Sequence, residues 1–176
     1  MRTLVLGGIR SGKSRWAEDA LMGEVADGAA LRYVATGPTP DDDTDWAARV
    51  AAHRERRQHR WATVESADVA AQLRADPVPT LVDDAGAWLT ATMDRSGAWH
   101  GAAVTAQTDD LVDAVGAFAV PLVIVSPEVG LTVVPASAAG RRFADELGTL
   151  NQRLAGVCER VVLVIAGQAV SVKEPV

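Results

Sequence analysis

Short apolar runs, rich in β-branched residues, recur along the chain at Thr3 to Leu6, Leu31 to Ala35, Thr80 to Val82, Leu122 to Val125 and Val161 to Ile165. They lack the regular polar alternation of a half-exposed strand, which suits strands buried on both faces of a sheet. The stretches between them carry helical periodicity, over Gly12 to about Met22, Thr44 to Arg57, Ser66 to Ala75, Thr105 to Phe118 and Ala138 to Glu159. Alternating strands and helices predict an α/β fold with a mainly parallel sheet and right-handed crossovers. Gly167-Gln168, followed by Ala169 to Val172, predicts a short antiparallel hairpin at the C-terminal edge. Asp94 to Gly101, with Ser96-Gly97, reads as an exposed loop.

Length adds one constraint: 176 residues fit one domain spanning 1–176, able to bury roughly 70% of its unfolded surface. No apolar run approaches the roughly 20 residues of a membrane-spanning helix. The chain enters its glycine-rich loop directly after Met-Arg-Thr-Leu-Val-Leu, with no room for an apolar targeting segment, and Cys158 is its single cysteine. These features predict a cytoplasmic location. A net charge of -6 argues against a general nucleic-acid surface. Of 17 basic residues only Lys13 and Lys173 are lysines, so a lysine inside the glycine loop stands out.

That loop carries the clearest chemistry. Gly7, Gly8, Ile9, Arg10, Ser11, Gly12, Lys13 and Ser14 satisfy GxxxxGK[ST] between an apolar strand and a helix. Glycines let backbone N–H groups approach phosphate, the ammonium pairs with phosphate oxygens, and the hydroxyl suits Mg²⁺. A chance glycine-rich turn would also match the pattern, but the flanking strand and helix supply the context a phosphate loop requires. The expected class is therefore a P-loop NTPase-like three-layer α/β fold, mostly parallel with a short antiparallel C-terminal edge. A second acidic element belongs at the end of a neighbouring strand, and Asp83, closing Thr80-Leu81-Val82, fits a Mg²⁺ ligand beside Ser14. Asp84 reads as the cap of the next helix, and both aspartates could instead simply end a strand.

Arg49, His53, Arg56 and Arg57 fall on one face of the helix expected over 44–57. Cationic neighbours disfavour imidazolium, leaving a neutral ring able to act as a nucleophile, while guanidinium groups bind phosphate oxygens bidentately. A solvated basic helix end is the competing reading. Asp41-Asp42-Asp43 would cap this helix. His59 and His100 receive no role.

Taken in order, GGIRSGKSRWAE from 7, YVAT at 33–36, AARVAAHRERR at 47–57, WATVE at 61–65, LVDDAGAWL at 81–89, EVGLTVVP at 128–135, RRF at 141–143 and LNQRLA at 150–155 cover nearly the whole chain. In these blocks it resembles the bifunctional adenosylcobinamide kinase / adenosylcobinamide-phosphate guanylyltransferase family of cobalamin biosynthesis. The resemblance implies phosphorylation of the aminopropanol hydroxyl of adenosylcobinamide by ATP or GTP, then transfer of GMP from GTP through a guanylylated histidine, with Mg²⁺. His53 falls at that histidine, with Lys13 as the other catalytic group. By the same carry-over residues 7–14, Thr36, Gly37, Pro38, Arg54, Glu55, Arg56, Arg57, Glu65 and Asp83 line the GTP site; a Glu65 carboxylate can accept from the N1 and N2 edge of guanine. A seven-stranded, mostly parallel sheet and a homotrimer are also implied. The chain departs from the family pattern at Gln58, Pro127, Thr132 and Ala136, outside the guanylyl-transfer residues. A single-activity P-loop kinase and a GTP-binding regulatory module are the alternatives; they predict no label on His53 and slow hydrolysis with partner binding, respectively.

Overall fold

The computed structural model describes residues 1–37, 60–131 and 133–175. Strand β1 (Arg2–Gly7) leads into helix α1 (Lys13–Gly23), followed by β2 (Leu31–Ala35), β3 (Trp61–Glu65), α2 (Val69–Ala75), β4 (Thr80–Asp83) and α3 (Ala85–Ser96). A 3₁₀ turn at Ala98–His100 precedes α4 (Thr105–Ala117), β5 (Leu122–Pro127), α5 (Ala138–Val157), β6 (Arg160–Ile165) and β7 (Gln168–Lys173). The seven strands form one sheet in the order β3-β2-β4-β5-β1-β6-β7. All neighbours are parallel except β6 and β7, whose antiparallel pairing closes one edge as expected from the Gly167 turn.

Two apolar layers explain why the central strands show no alternation. On β1, Leu4 joins a cluster with Leu89 of α3, Val115 of α4 and Leu154 of α5, while the adjacent Val5 joins Ala17 and Leu21 of α1 on the opposite face. Successive side chains of a strand point to opposite faces, so a strand covered on both must be apolar at every position. Each fully buried leucine or valine contributes roughly 1.5–3 kcal/mol.

Three helices, α2, α3 and α5, start where a side chain satisfies an orphan N–H group. The Asp68 carboxylate accepts from Ala71 N at 3.0 Å and starts α2 at Val69, three residues later than helical periodicity suggests; Ser66 Oγ instead accepts from Asp68 N. Ser137 caps α5 through Gly140 N, and Asp84 caps α3 through Ala87 N at 2.7 Å. The Asp94 to Gly101 segment is less of a loop than its composition suggests: α3 continues to Ser96 and ends at Gly97, whose φ of 68° is the left-handed stop favoured by glycine. Strand β3 is an addition to the elements expected from the sequence pattern, while α3 is the helix expected after the Asp84 cap. The first has an exposed, irregular burial pattern at the sheet edge, and the second opens on Ala-Gly-Ala. The helix expected over 44–57 lies outside the described residues.

Candidate functional site

Strand register gathers the chemistry at one edge of the sheet. Gly7 pairs with Pro127 and Val164, Asp83 with Ala35 and Val125, and Ala35 with Glu65. The C-terminal ends of β1, β2, β3, β4 and β5 therefore stand in one row. Strand β1 lies inside the sheet between β5 and β6, and the connection from β5 to β6 crosses it. Such a switch in strand order opens a crevice at the carboxyl ends, where α/β proteins bind ligands.

The loop over 7–14 is shaped by contacts that exclude side chains. A Cβ on Gly7 would sit 2.5 Å from Ser11 Oγ and 2.8 Å from Val164 O. Gly12 has φ 93°, and a Cβ there would lie 3.2 Å from Cα of Gly167. Gly167 N in turn donates to Ser11 O at 2.8 Å, so the β6–β7 turn braces the phosphate loop. Arg10 is also left-handed, with φ 56°. Gly8, Ile9 and Arg10 are exposed, Ile9 at 91%.

Helix α1 starts at Lys13 with no side-chain cap and no acidic residue in its first turn. Its first N–H groups have no intrahelical acceptors by construction, and the helix dipole adds partial positive charge there. Lys13 Nζ folds back to Gly8 O at 3.2 Å, and Ser14 is half-buried in the same first turn. The described residues thus offer an anion cradle with an ammonium and a hydroxyl at its rim.

Asp83 and Asp84 face this cradle from β4. Asp83 Oδ2 accepts from the Tyr33 hydroxyl at 2.6 Å. Burial pushes the Asp84 carboxyl up to about 6, reinforced by the charge of Asp83 and opposed by the Ala87 N–H and Lys13. The opposing influence of Lys13 shows that cradle and aspartates share one electrostatic environment. Thr36 is buried, donates its hydroxyl to Asp84 O at 2.6 Å, and ties β2 to β4 through its N–H to Asp83 O. Gly37, half-buried, follows it at the same edge. Serine hydroxyl and aspartate carboxylate are the hard oxygen donors that suit Mg²⁺, an ion that also uses water and substrate phosphates rather than a full protein cage. No group of three or more His, Cys, Asp or Glu side chains gathers among the described residues.

The structure brings the loop residues, Thr36, Gly37 and Asp83 together, but not Glu65. That exposed residue ends β3, four strand spacings from β1, or roughly 19 Å at the usual separation. Pro38, His53, Arg54, Glu55, Arg56 and Arg57 lie outside the described residues. Four groups at the site escaped sequence reasoning as functional residues. Asp84 caps α3 as its position predicts, and it also belongs to the electrostatics of the site. Ser126, fully buried, donates to Asn151 Oδ1 at 2.6 Å, and Asn151 Nδ2 donates to Pro127 O at 3.0 Å, pinning the end of β5 beside the loop. Gly167 is the fourth. The LNQRLA block carried a signal for Asn151; nothing local marks Gly167, whose role exists only through its contact with Gly12. The departure at Pro127 also has a structural partner: a Cβ on Gly86 would come 2.8 Å from the proline ring, so the ring fits because residue 86 has no side chain.

The family model described as cobinamide kinase / cobinamide phosphate guanyltransferase matches residues 3–172. The chain is similar to the bifunctional adenosylcobalamin biosynthesis protein CobP of Pseudomonas aeruginosa, 38% identical with 98% of each chain covered. It is similar to the bifunctional adenosylcobalamin biosynthesis proteins CobU of Salmonella typhimurium and Escherichia coli, 35% and 34% identical, each over 98% of this chain and 100% of the relative.

Proposed function

Because the chain belongs to the cobinamide kinase / cobinamide phosphate guanyltransferase family, and is thus a bifunctional transferase of cobalamin biosynthesis, we propose that one phosphate cradle serves both of its reactions and that His53 carries the guanylyl group between donor and acceptor. In the kinase step the aminopropanol hydroxyl of adenosylcobinamide attacks the γ-phosphate of ATP or GTP in line, and the nucleoside diphosphate leaves. In the second step the neutral imidazole of His53 attacks the α-phosphate of GTP and pyrophosphate departs. The cobinamide phosphate then attacks the same phosphorus, breaking the bond to His53 and forming adenosylcobinamide-GDP. Two in-line displacements at one phosphorus give net retention of configuration.

The observation that carries this reading is the uncapped N-terminus of α1, with Lys13 at its rim and the Asp83-Asp84 pair opposite. The helix N–H groups and Lys13 hold phosphate charge as it develops, a stabilisation typically large where donors are already in place. Residues 7–14, Thr36, Gly37, Pro38, Arg54, Glu55, Arg56, Arg57, Glu65 and Asp83 make up the proposed GTP site. Glu65 reads the guanine edge, which requires the nucleotide to reach across β5, β4 and β2. Ser14 and Asp83 would hold Mg²⁺, which when bound neutralises phosphate charge. The chain works in the cytoplasm, without nucleic acid, as a homotrimer; for assembly, the support beyond family likeness is the outer edge of β7, exposed along its length and in need of cover.

Incubation with α-labelled GTP and Mg²⁺, followed by denaturation, tests the covalent step. The expected result is protein-bound label that is acid-labile and base-stable, and absent from His53→Ala. Label retained by that variant would overturn the nucleophile assignment.

A further inference from the structure

A cavity of about 480 Å³ lies beside the phosphate loop on the flank away from Asp83 and Glu65. Its walls are α5, the sheet at Leu6, Val161 and Val172, and Glu128, Val129, Gly130, Val134 and Pro135 from beyond β5. Two contacts fix its position relative to the phosphates. Leu6 immediately precedes Gly7, and Glu128 N donates to Gly7 O at 3.1 Å. The sheet order places β5, β4, β2 and β3 on one side of β1, with Asp83, Thr36 and Glu65 at their ends, and β6 and β7 on the other, with the cavity. An in-line transfer needs donor and acceptor on opposite sides of the phosphorus being moved; Asp83 is not in the cavity's lining, whose sheet residues come from β1, β6 and β7.

The lining is mixed in a specific way. Leu6, Val134 and Val172 offer apolar surface, while Glu128, Asp145 and Gln152 offer oxygens that accept from carboxamide N–H groups. Pockets for small molecules combine an apolar wall with a few such polar groups. Exposed Leu131 and Val133, at 74% and 92%, extend the apolar surface along the same segment. Gly148 adds a separate argument. It sits inside the 20-residue helix α5 and lines the cavity, where glycine costs about 1 kcal/mol relative to alanine. A Cβ there would meet nothing within 4 Å, so no neighbour in the fold demands a glycine. Clearance for something outside the fold is a reason to keep one.

We propose that this cavity is the acceptor site, taking the hydroxyl-bearing arm and adjoining carboxamide edge of cobinamide, with Gly148 leaving room for the ring edge and Asp145 and Gln152 meeting its amides. The inference rests on the cobinamide kinase reading, and it supplies the location that reading lacks.

Equilibrium dialysis of the full chain against coloured cobinamide, without nucleotide, separates the two. The wild type should bind, and Gly148→Phe, which fills the cavity from the helix, should bind at least tenfold more weakly. Gln152→Trp, on the exposed side of the same wall, should do likewise if Gly148→Phe fails to fold. GTP binding by each folded variant should stay within twofold of wild type, which a general loss of structure would not allow. Wild-type binding retained in a folded blocking variant, or no binding of cobinamide by the wild type, would overturn the site. A separate phosphorylation assay of the wild type tests the activity itself: cobinamide bound and blocked by Gly148→Phe, yet never phosphorylated, would sink the kinase reading while leaving the site standing.

Discussion

Asp84 holds two roles that pull in opposite directions. As cap of α3 its carboxylate accepts from Ala87 N, yet burial and the neighbouring Asp83 disfavour that same negative charge and push the group up to about 6. An acid whose folded value lies above its unfolded one binds more protons in the native state. Its contribution to stability is therefore full below about 4 and is lost as pH rises through about 6. Asparagine caps a helix about as well as aspartate and carries no charge. Nucleotide-free Asp84→Asn is therefore expected to gain stability relative to wild type as pH rises from 4 to 7, read from urea midpoints at both ends of that range. A constant difference across the range would show that Asp84 is not strained in its charged form.

At the scale of elements, the phosphate loop is a product of two turns pressed together. The sequence motif requires Gly12 without stating what crowds it; the structure supplies the left-handed φ of 93° and Cα of Gly167. Left-handed strain in a residue with a Cβ costs on the order of 1–3 kcal/mol. Gly12→Ala should shift α1 away from the β6–β7 turn and weaken GTP binding roughly tenfold, measured by titration calorimetry, within the 1–3 kcal/mol range. Unchanged affinity would mean that the brace between the two turns is dispensable. Helix α5 shows the same division. Its apolar face packs Leu147, Leu150 and Leu154 into the core, while Gly148 and Gln152 turn to the cavity beside the loop.

At the scale of the whole molecule, the sheet has unequal edges. β7 pairs with β6 on one side and leaves its other edge exposed, and Val170 and Val172 are exposed at 51% and 62%. An uncovered strand edge is a template for further pairing, and proteins cover or blunt it. The proposed homotrimer predicts a mass by light scattering of three times the chain's 18.5 kDa, independent of concentration over the micromolar range. A monomer under those conditions would count against it. No helix among the described residues is long and apolar enough to cross a membrane.

Most strands, the parallel sheet, the C-terminal hairpin and the phosphate loop were legible in the chain itself because they depend on local rules: apolar runs for doubly covered strands, glycine for left-handed turns, and fixed spacing in the P-loop. Strand β3 was not, since an edge strand buries too little to need an apolar run; of α3 the Asp84 cap was legible but not its extent, since a glycine sits in its first turn. The Asp83-Asp84 pair could be read as an acidic element and a cap, but not as a shared charge environment with Lys13. Only strand order placed Glu65 four strands from the loop and set the Gly148 cavity on the opposite flank. Burial, register and the meeting of Gly12 with Gly167 depend on residues distant in sequence, so the tertiary structure alone decided them.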